Sequence, residues 1–177
     1  SGQVASRSLR NACLAYLAAA GDEGVDLAVE QYHQARNMTD RQAALATVVN
    51  HGTDARRQPL LDHFYEAWKD EALVVNQWFQ VQALCPQPGN LERVRELMRH
   101  PAFDLRNPNK VRALVGAFCN ANPVNFHRAD GGGYELLAEV VTELDQKNPQ
   151  IASRLLTPLT RSRKYGDRSE QMRAVLE

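Results

Sequence analysis

The stretch FHRADGGGYELLAEVV, residues 126–141, gathers His127, Arg128, Asp130 and three consecutive glycines in front of an apolar helical pattern. Glycines ahead of a helix are the setting in which backbone amides cradle a phosphate. A Walker-type loop needs Lys followed by Ser or Thr at the helix start, and a dinucleotide fingerprint needs a preceding strand. Here Tyr134 follows Gly133 and helical patterns lie on both sides. The stretch therefore reads as a turn between helices whose glycines permit positive φ.

Other chemistries are similarly thin. His33, His51, His63, His100 and His127 never form the His-x-x-x-His pair that sets two metal ligands on one helical face. No Gly-x-Ser-x-Gly elbow occurs, and Cys119 has no neighbouring His or Lys to lower its pKa. Cys13, Cys85 and Cys119 are too widely spaced for a zinc knuckle or a disulfide framework, and each lies beside apolar residues. They read as buried, reduced thiols, which favours a reducing compartment.

Cationic and polar groups remain. Six basic residues fall between Arg93 and Arg112 and six more between Arg154 and Arg173; most read as solvated helix faces, with Arg161, Arg163 and Lys164 at a helix end that suits its dipole. Gln150 and Arg154 differ. They stand one helical turn apart just after Asn148-Pro149, so both project from one face near a helix N-terminus, an arrangement suited to a carboxylate or carbonyl.

The elements that must position these groups are helical throughout, because apolar residues recur at three- and four-residue steps and nowhere alternate for long. Leu9, Cys13, Tyr16 and Leu17 make a first stripe, ended by Gly21. A second helix follows the acidic turn of Asp22, Glu23 and Asp26. Thr39 and Gln42 suggest a capping box and Gly52 a stop; Pro59 suits the first turn of the next helix, and another runs from about Glu71 to Leu84. Asn107-Pro108, Asn122-Pro123 and Asn148-Pro149 each pair a side-chain acceptor with a residue lacking an amide, the expected N-cap and N1. Asn90 starts a helix without the proline, and Asp167 with Glu170 forms a last capping box.

The resulting expectation is an all-α chain of roughly ten short helices in antiparallel pairs, an irregular α-solenoid or superhelix of HEAT/armadillo-like type forming one domain over residues 1–177. No clean repeat period is visible. The 21 basic residues balance 21 acidic ones, so no net field draws the chain to nucleic acid or an anionic membrane. No apolar run reaches the roughly 20 residues of a membrane span. The first residues lack a signal-peptide pattern and an initiator Met, so the chain reads as excised from something longer.

The segments NACLAYLA, NMTDRQAAL, NPNKVRALVGAFCNANPVNFHRADGGGYELLAEVV and LDQKNPQIASRLLTPLTRSRKY resemble the C-terminal domain of the bacterial aminopeptidase N family, zinc-dependent alanyl aminopeptidases of the gluzincin class. The resemblance runs over essentially the whole chain and is strongest from Asn107 to Tyr165. It implies a non-catalytic helical domain that closes over the active-site cavity of a cytoplasmic enzyme removing N-terminal residues from peptides. Its implied partners are the parent's catalytic domain and peptide substrates, with neither nucleic acid nor membrane. The family's His-Glu-x-x-His and Gly-Ala-Met-Glu-Asn motifs do not occur here, so the resemblance places zinc in the parent's catalytic domain, leaves this chain without a cofactor, and implies that it is inactive alone.

By position, Arg112, Gln150 and Arg154 resemble family residues that reach the cavity. Arg112 and Arg154 are then expected to meet a peptide carboxylate or backbone carbonyl, and Gln150 to line the pocket of the first substrate side chain. The alternative reading is a free-standing α-solenoid adaptor that binds a protein through its concave face.

Overall fold

A computed structural model describes residues 2–159 and 168–174, and every regular element among them is helical. The chain divides into two compact units, residues 1–74 and 75–177.

The first unit contains α1 (Gly2–Ala20), α2 (Asp22–Gln34), α3 (Met38–His51) and α4 (Asp54–Trp68). Helix α1 packs on α2 and α3, and α3 on α4. Leu14 and Ala18 of α1, Val25, Ala28 and Tyr32 of α2, Leu45 and Val48 of α3 and Phe64 of α4 are buried. The Tyr32 hydroxyl lies 2.9 Å from His63 Nδ1 across the core, and burial raises that phenol to about 12.

Three local expectations shift here. The stripe Leu9, Cys13, Tyr16 and Leu17 does not enter the core: Leu9 is 67% and Tyr16 80% exposed, and Cys13 is an exposed thiol rather than a buried one. Leu14 and Ala18, on the opposite side of α1, make its packed face. The cap of α3 is Asn37, not Thr39: Asn37 Oδ1 accepts from the Asp40 amide at 2.9 Å, and Asn37 Nδ2 donates to Asp40 Oδ2 at 2.8 Å. The cap thus stands two residues earlier, and only half of it follows the capping-box pattern, because the Asp40 carboxylate takes the Asn37 side-chain amide instead of its backbone N–H. Pro59 lies inside α4, which begins at Asp54; only one carbonyl, a turn upstream, loses its donor there.

The second unit holds the body of α5 (Ala72–Ala83), then α6 (Asn90–Leu97), α7 (Pro108–Val111), α8 (Ala117–Ala121), α9 (Pro123–Phe126), α10 (Gly132–Asp145), α11 (Pro149–Leu155) and α12 (Ser169–Ala174). A five-residue π-helical segment, Arg112–Gly116, joins α7 to α8. Phe118, Phe126 and Tyr134 are fully buried, with Phe126 edge-on to both other rings.

The three Asn-Pro devices perform as the sequence predicts. Asn107 accepts from the amides of Asn109 and Lys110, Asn122 from Asn125, and Asn148 from Ile151, each with proline at the helix start. Asn122 does more: buried, it also donates to the carbonyls of Ala83 (2.9 Å) and Cys85 (2.8 Å). Asn90 is not a cap. Gly89 occupies that place with φ +88, and Asn90 Nδ2 is buried on the Ala83 carbonyl at 3.1 Å. Arg161, Arg163, Lys164 and Asp167, with the readings attached to them, lie outside the described residues.

Candidate functional site

Helix α11 is short, begun by the Asn148 cap and held down by buried Ala152 and Leu155. With those two residues packed, Gln150 and Arg154 are left exposed one turn apart, as their spacing predicts. Among the described residues no carboxylate stands against the Arg154 guanidinium. Arg154 also lies in the last turn of the helix, where a cation opposes the negative end of the dipole.

Arg112 opens the π segment and is exposed; its Nη2 donates to Asn109 Oδ1 at 2.6 Å. Gly116, at the other end of that segment, adjoins both Arg112 and α11: a methyl group built on it would sit 3.8 Å from Arg112 Cβ and 3.9 Å from Leu155 Cδ2. The π segment thus approaches α11, the helix carrying Gln150 and Arg154, at Gly116 and Leu155. Sequence periodicity reads residues 108–121 as one regular helix and does not reveal the π turn. A single i to i+5 turn shifts the apolar phase by only one residue, too little to register over so short a stretch. Single π turns recur at functional positions, where they redirect a side chain.

The glycine stretch is a structural turn. Asp130 Oδ1 accepts from the Gly132 amide at 3.1 Å, and the Arg128 guanidinium bridges Glu92 (2.7 Å) and Asp130 (2.6 Å). The Gly132 amide, followed by Arg128, holds the Asp130 carboxyl below the usual range. A carboxylate of the chain itself thus occupies the place an external anion would take. Gly131 has φ +78, while Gly133 lets α10 close directly onto the Phe126 backbone. His127 is buried with Nδ1 2.7 Å from the Tyr134 hydroxyl; burial, then nearby Arg168, lowers its pKa.

Among the described residues no three His, Cys, Asp or Glu side chains gather as a metal site. No helix among them is long and apolar enough to cross a membrane. Cys85 and Cys119 are buried, and burial alone pushes the Cys119 thiol far up, so it is no nucleophile. Much of the basic run between Arg93 and Arg112 is engaged on the surface: Arg95 forks onto Glu139 at 2.6 and 3.1 Å, and Arg106 pairs with Asp104.

A concavity of about 630 Å³ lies in the first unit, lined by Arg10, Cys13, Leu17, Leu27, Gln31 and Asp40 among others. It contains none of the three predicted residues. Its buried carboxylate, Asp40, is fully engaged by Asn37, Asn11 (3.2 Å) and Arg10 (2.5 Å). The Asn37 hydrogen bond leads in lowering its pKa, so it is a structural anion rather than an acid or base.

Comparison with known proteins follows the same lines. Residues 1–177 match the model of a domain family described as a domain of unknown function (DUF3458_C) with ARM repeats. The chain is 44% identical over 176 residues to aminopeptidase N of Escherichia coli (strain K12) and 42% identical over 175 residues to aminopeptidase N of Haemophilus influenzae, in each case over 98% of this chain. It spans 20% of the length of either relative. A crystal structure of Legionella pneumophila aminopeptidase A in complex with aspartic acid superposes with a TM-score of 0.90 at 37% identity, over 96% of this chain and 20% of that one.

Proposed function

The chain belongs to the DUF3458_C family of ARM-repeat domains, and from that premise we propose that it is the C-terminal helical domain of a larger zinc aminopeptidase that removes N-terminal residues from peptides. In this reading residues 1–177 form one domain that caps the active-site cavity, restricts access to it and contributes substrate-lining groups. The observation that carries the lining role is the exposed pair Gln150 and Arg154 on α11, beside the π segment begun by Arg112.

Arg154 and Arg112 supply planar, permanently charged forks for a carboxylate or backbone carbonyl of the peptide beyond the scissile bond. Gln150 offers a neutral donor and acceptor to the first substrate side chain. The relatives named aminopeptidase support the reaction class. The three cysteines, none of them in a disulfide, support a cytoplasmic setting.

Zinc in this reading belongs to the parent's catalytic domain, since the described residues here do not fit a metal. The test compares hydrolysis of aminoacyl amides and short peptides by the parent protein and by the 177-residue chain. The parent is expected to cleave both and the chain neither, with or without added zinc. Robust hydrolysis by the pure chain sinks the reading.

A further inference from the structure

The turn between α2 and α3 and the end of α4 border a second concavity of the first unit, about 310 Å³ in volume. Ala35, Arg36, Asn37, Met38, Arg41 and Trp68 line it, so its wall carries two permanent positive charges and no acid. Among the described residues no carboxylate pairs with Arg36 or Arg41. Asp40, the neighbour of Arg41, lies outside the lining and is taken up by Arg10, Asn11 and Asn37.

Two donors of this wall have no acceptor. Arg41 Nε and Trp68 Nε1 are both shielded from solvent, and neither meets a hydrogen-bond partner among the described residues. A buried N–H left without a partner is costly and calls for an explanation, and here two of them, from different helices, belong to one cavity. The Arg41 side chain is also fixed in place. Its Nη2 donates to the Ala35 carbonyl at 2.9 Å, and its Cζ stands 5.8 Å from the centroid of the Tyr32 ring. One N–H of five is thus used within the fold, and the guanidinium is held ready with donors to spare.

We propose that this cavity is a binding site for a carboxylate group, taken by Arg41 and Arg36 with the Trp68 indole N–H as a further donor. A carboxylate brings two acceptor oxygens in one plane, which suits the planar guanidinium fork. Ala35, Met38 and the indole ring make the apolar part of the wall, where the carbon chain bearing the carboxylate lies. Two sources share this chemistry. One is the free C-terminus of a peptide, and the other is an acidic side chain elsewhere in the parent polypeptide, which rests on the reading of this chain as part of a larger protein.

The indole N–H resonances of the 177-residue chain read the site directly, because Trp68 and Trp78 are its two tryptophans and Trp68→Phe tells them apart. The probe is N-acetyl-tetraalanine, whose one charge is its C-terminal carboxylate and whose blocked amino end an aminopeptidase cannot trim. It should move the Trp68 resonance saturably and leave that of Trp78 in place, and its C-terminal amide should move neither. Arg41→Gln should weaken the binding by about 10-fold or more, and Arg41→Lys should recover part of the loss. Exposed Arg36→Gln, which has no hydrogen bond or ion pair among the described residues to lose, should weaken it by about 2- to 5-fold; this variant keeps the test open if Arg41→Gln disturbs the turn.

Calorimetry on the parent protein separates the two sources. Binding of N-acetyl-tetraalanine that Arg41→Gln diminishes assigns the cavity to a free peptide. No such binding, with Arg41→Gln lowering the urea midpoint of the parent well beyond its effect in the 177-residue chain, assigns it to an acidic side chain of the parent. A Trp68 resonance that stays in place, or that moves equally with the amide, overturns the proposal. So does binding that neither arginine variant weakens, and so does a parent that shows neither effect. Peptide cleavage by the same parent preparation is independent of these outcomes: an inactive parent sinks the aminopeptidase reading and leaves the carboxylate site standing.

Discussion

Replacing each glycine of the 131–133 run by alanine should give three different outcomes, ranked by geometry rather than by sequence position. At Gly133 a methyl group would stand 2.8 Å from the carbonyl carbon and Cα of Phe126 and nearer still to the oxygen, against ordinary contact beginning at 3.4 Å. All three obstacles are backbone, so no rotamer relieves them, and α10 must move by more than half an ångström from a core containing Phe126, Tyr134 and Leu137. Overpacking of this kind costs about 3 kcal/mol, and the better helix propensity of alanine returns about 1, leaving roughly 2 kcal/mol. At Gly131, with φ +78, an L side chain costs about 1 kcal/mol. At Gly132 the nearest obstacle is the flexible Leu91 Cδ2, 2.8 Å away, and the change should stay within about 0.5 kcal/mol. Urea unfolding followed by far-UV circular dichroism reads the order directly. For a domain with a slope near 2 kcal/mol per molar, Gly133→Ala should lower the midpoint by about 1 M. A Gly133→Ala variant as stable as the original, or a ranking led by Gly132, refutes the turn as described.

Asn122→Ala should cost about 2 to 3 kcal/mol, because it removes one of two side-chain donors from each of two buried carbonyls as well as the cap, whereas half-buried Asn107→Ala should lose only the cap, about 1 kcal/mol; equal losses in urea unfolding would contradict the buried network. His127 and His100 are both held below the usual imidazole range, by burial first and then by the cations Arg168 for His127 and Arg93 and Lys110 for His100. Their contribution is therefore fully present above the unfolded value of about 6.5 and is lost as pH falls below it, by at most about 1.4 kcal/mol per histidine per pH unit. Unfolding midpoints at about pH 7.5 and 5.5 should fall with acidification, and His127→Gln should reduce the difference; a variant with an unchanged difference removes His127 from the account.

Much of the fold is legible in the sequence because its signals are local. Each Asn-Pro pair needs only its own next turn to act as a cap, and all three do so. Gly52 likewise stops α3 from within its own turn. Signals that depend on what lies across a helix are not legible. The Leu9–Cys13–Tyr16 stripe has the periodicity of a core face, but periodicity does not say which of two apolar faces finds a partner within these residues. Asn90 looks like a cap and serves as a buried donor, a role set by Ala83 from the preceding helix. At the candidate site, Gln150 and Arg154 share a face as their spacing implies, while the approach of the π segment to α11 at Gly116 and Leu155 is set across helices and is not written in the spacing of either.

The central claim, that α11 presents substrate-binding groups to the cavity of a parent aminopeptidase, is tested most directly by Arg154→Ala in the parent protein, assayed on peptides and on short chromogenic aminoacyl amides side by side. If Arg154 meets the part of a peptide beyond the cleaved bond, the lost charge-assisted hydrogen bond is worth about 1.5 to 3 kcal/mol, so kcat/KM for peptides should fall roughly 10- to 150-fold. The amides, which lack that part, should be cleaved nearly as before, and lysine should restore only part of the loss because it keeps the charge without the fork. Equal losses on both substrates, or no loss on either, would contradict the account.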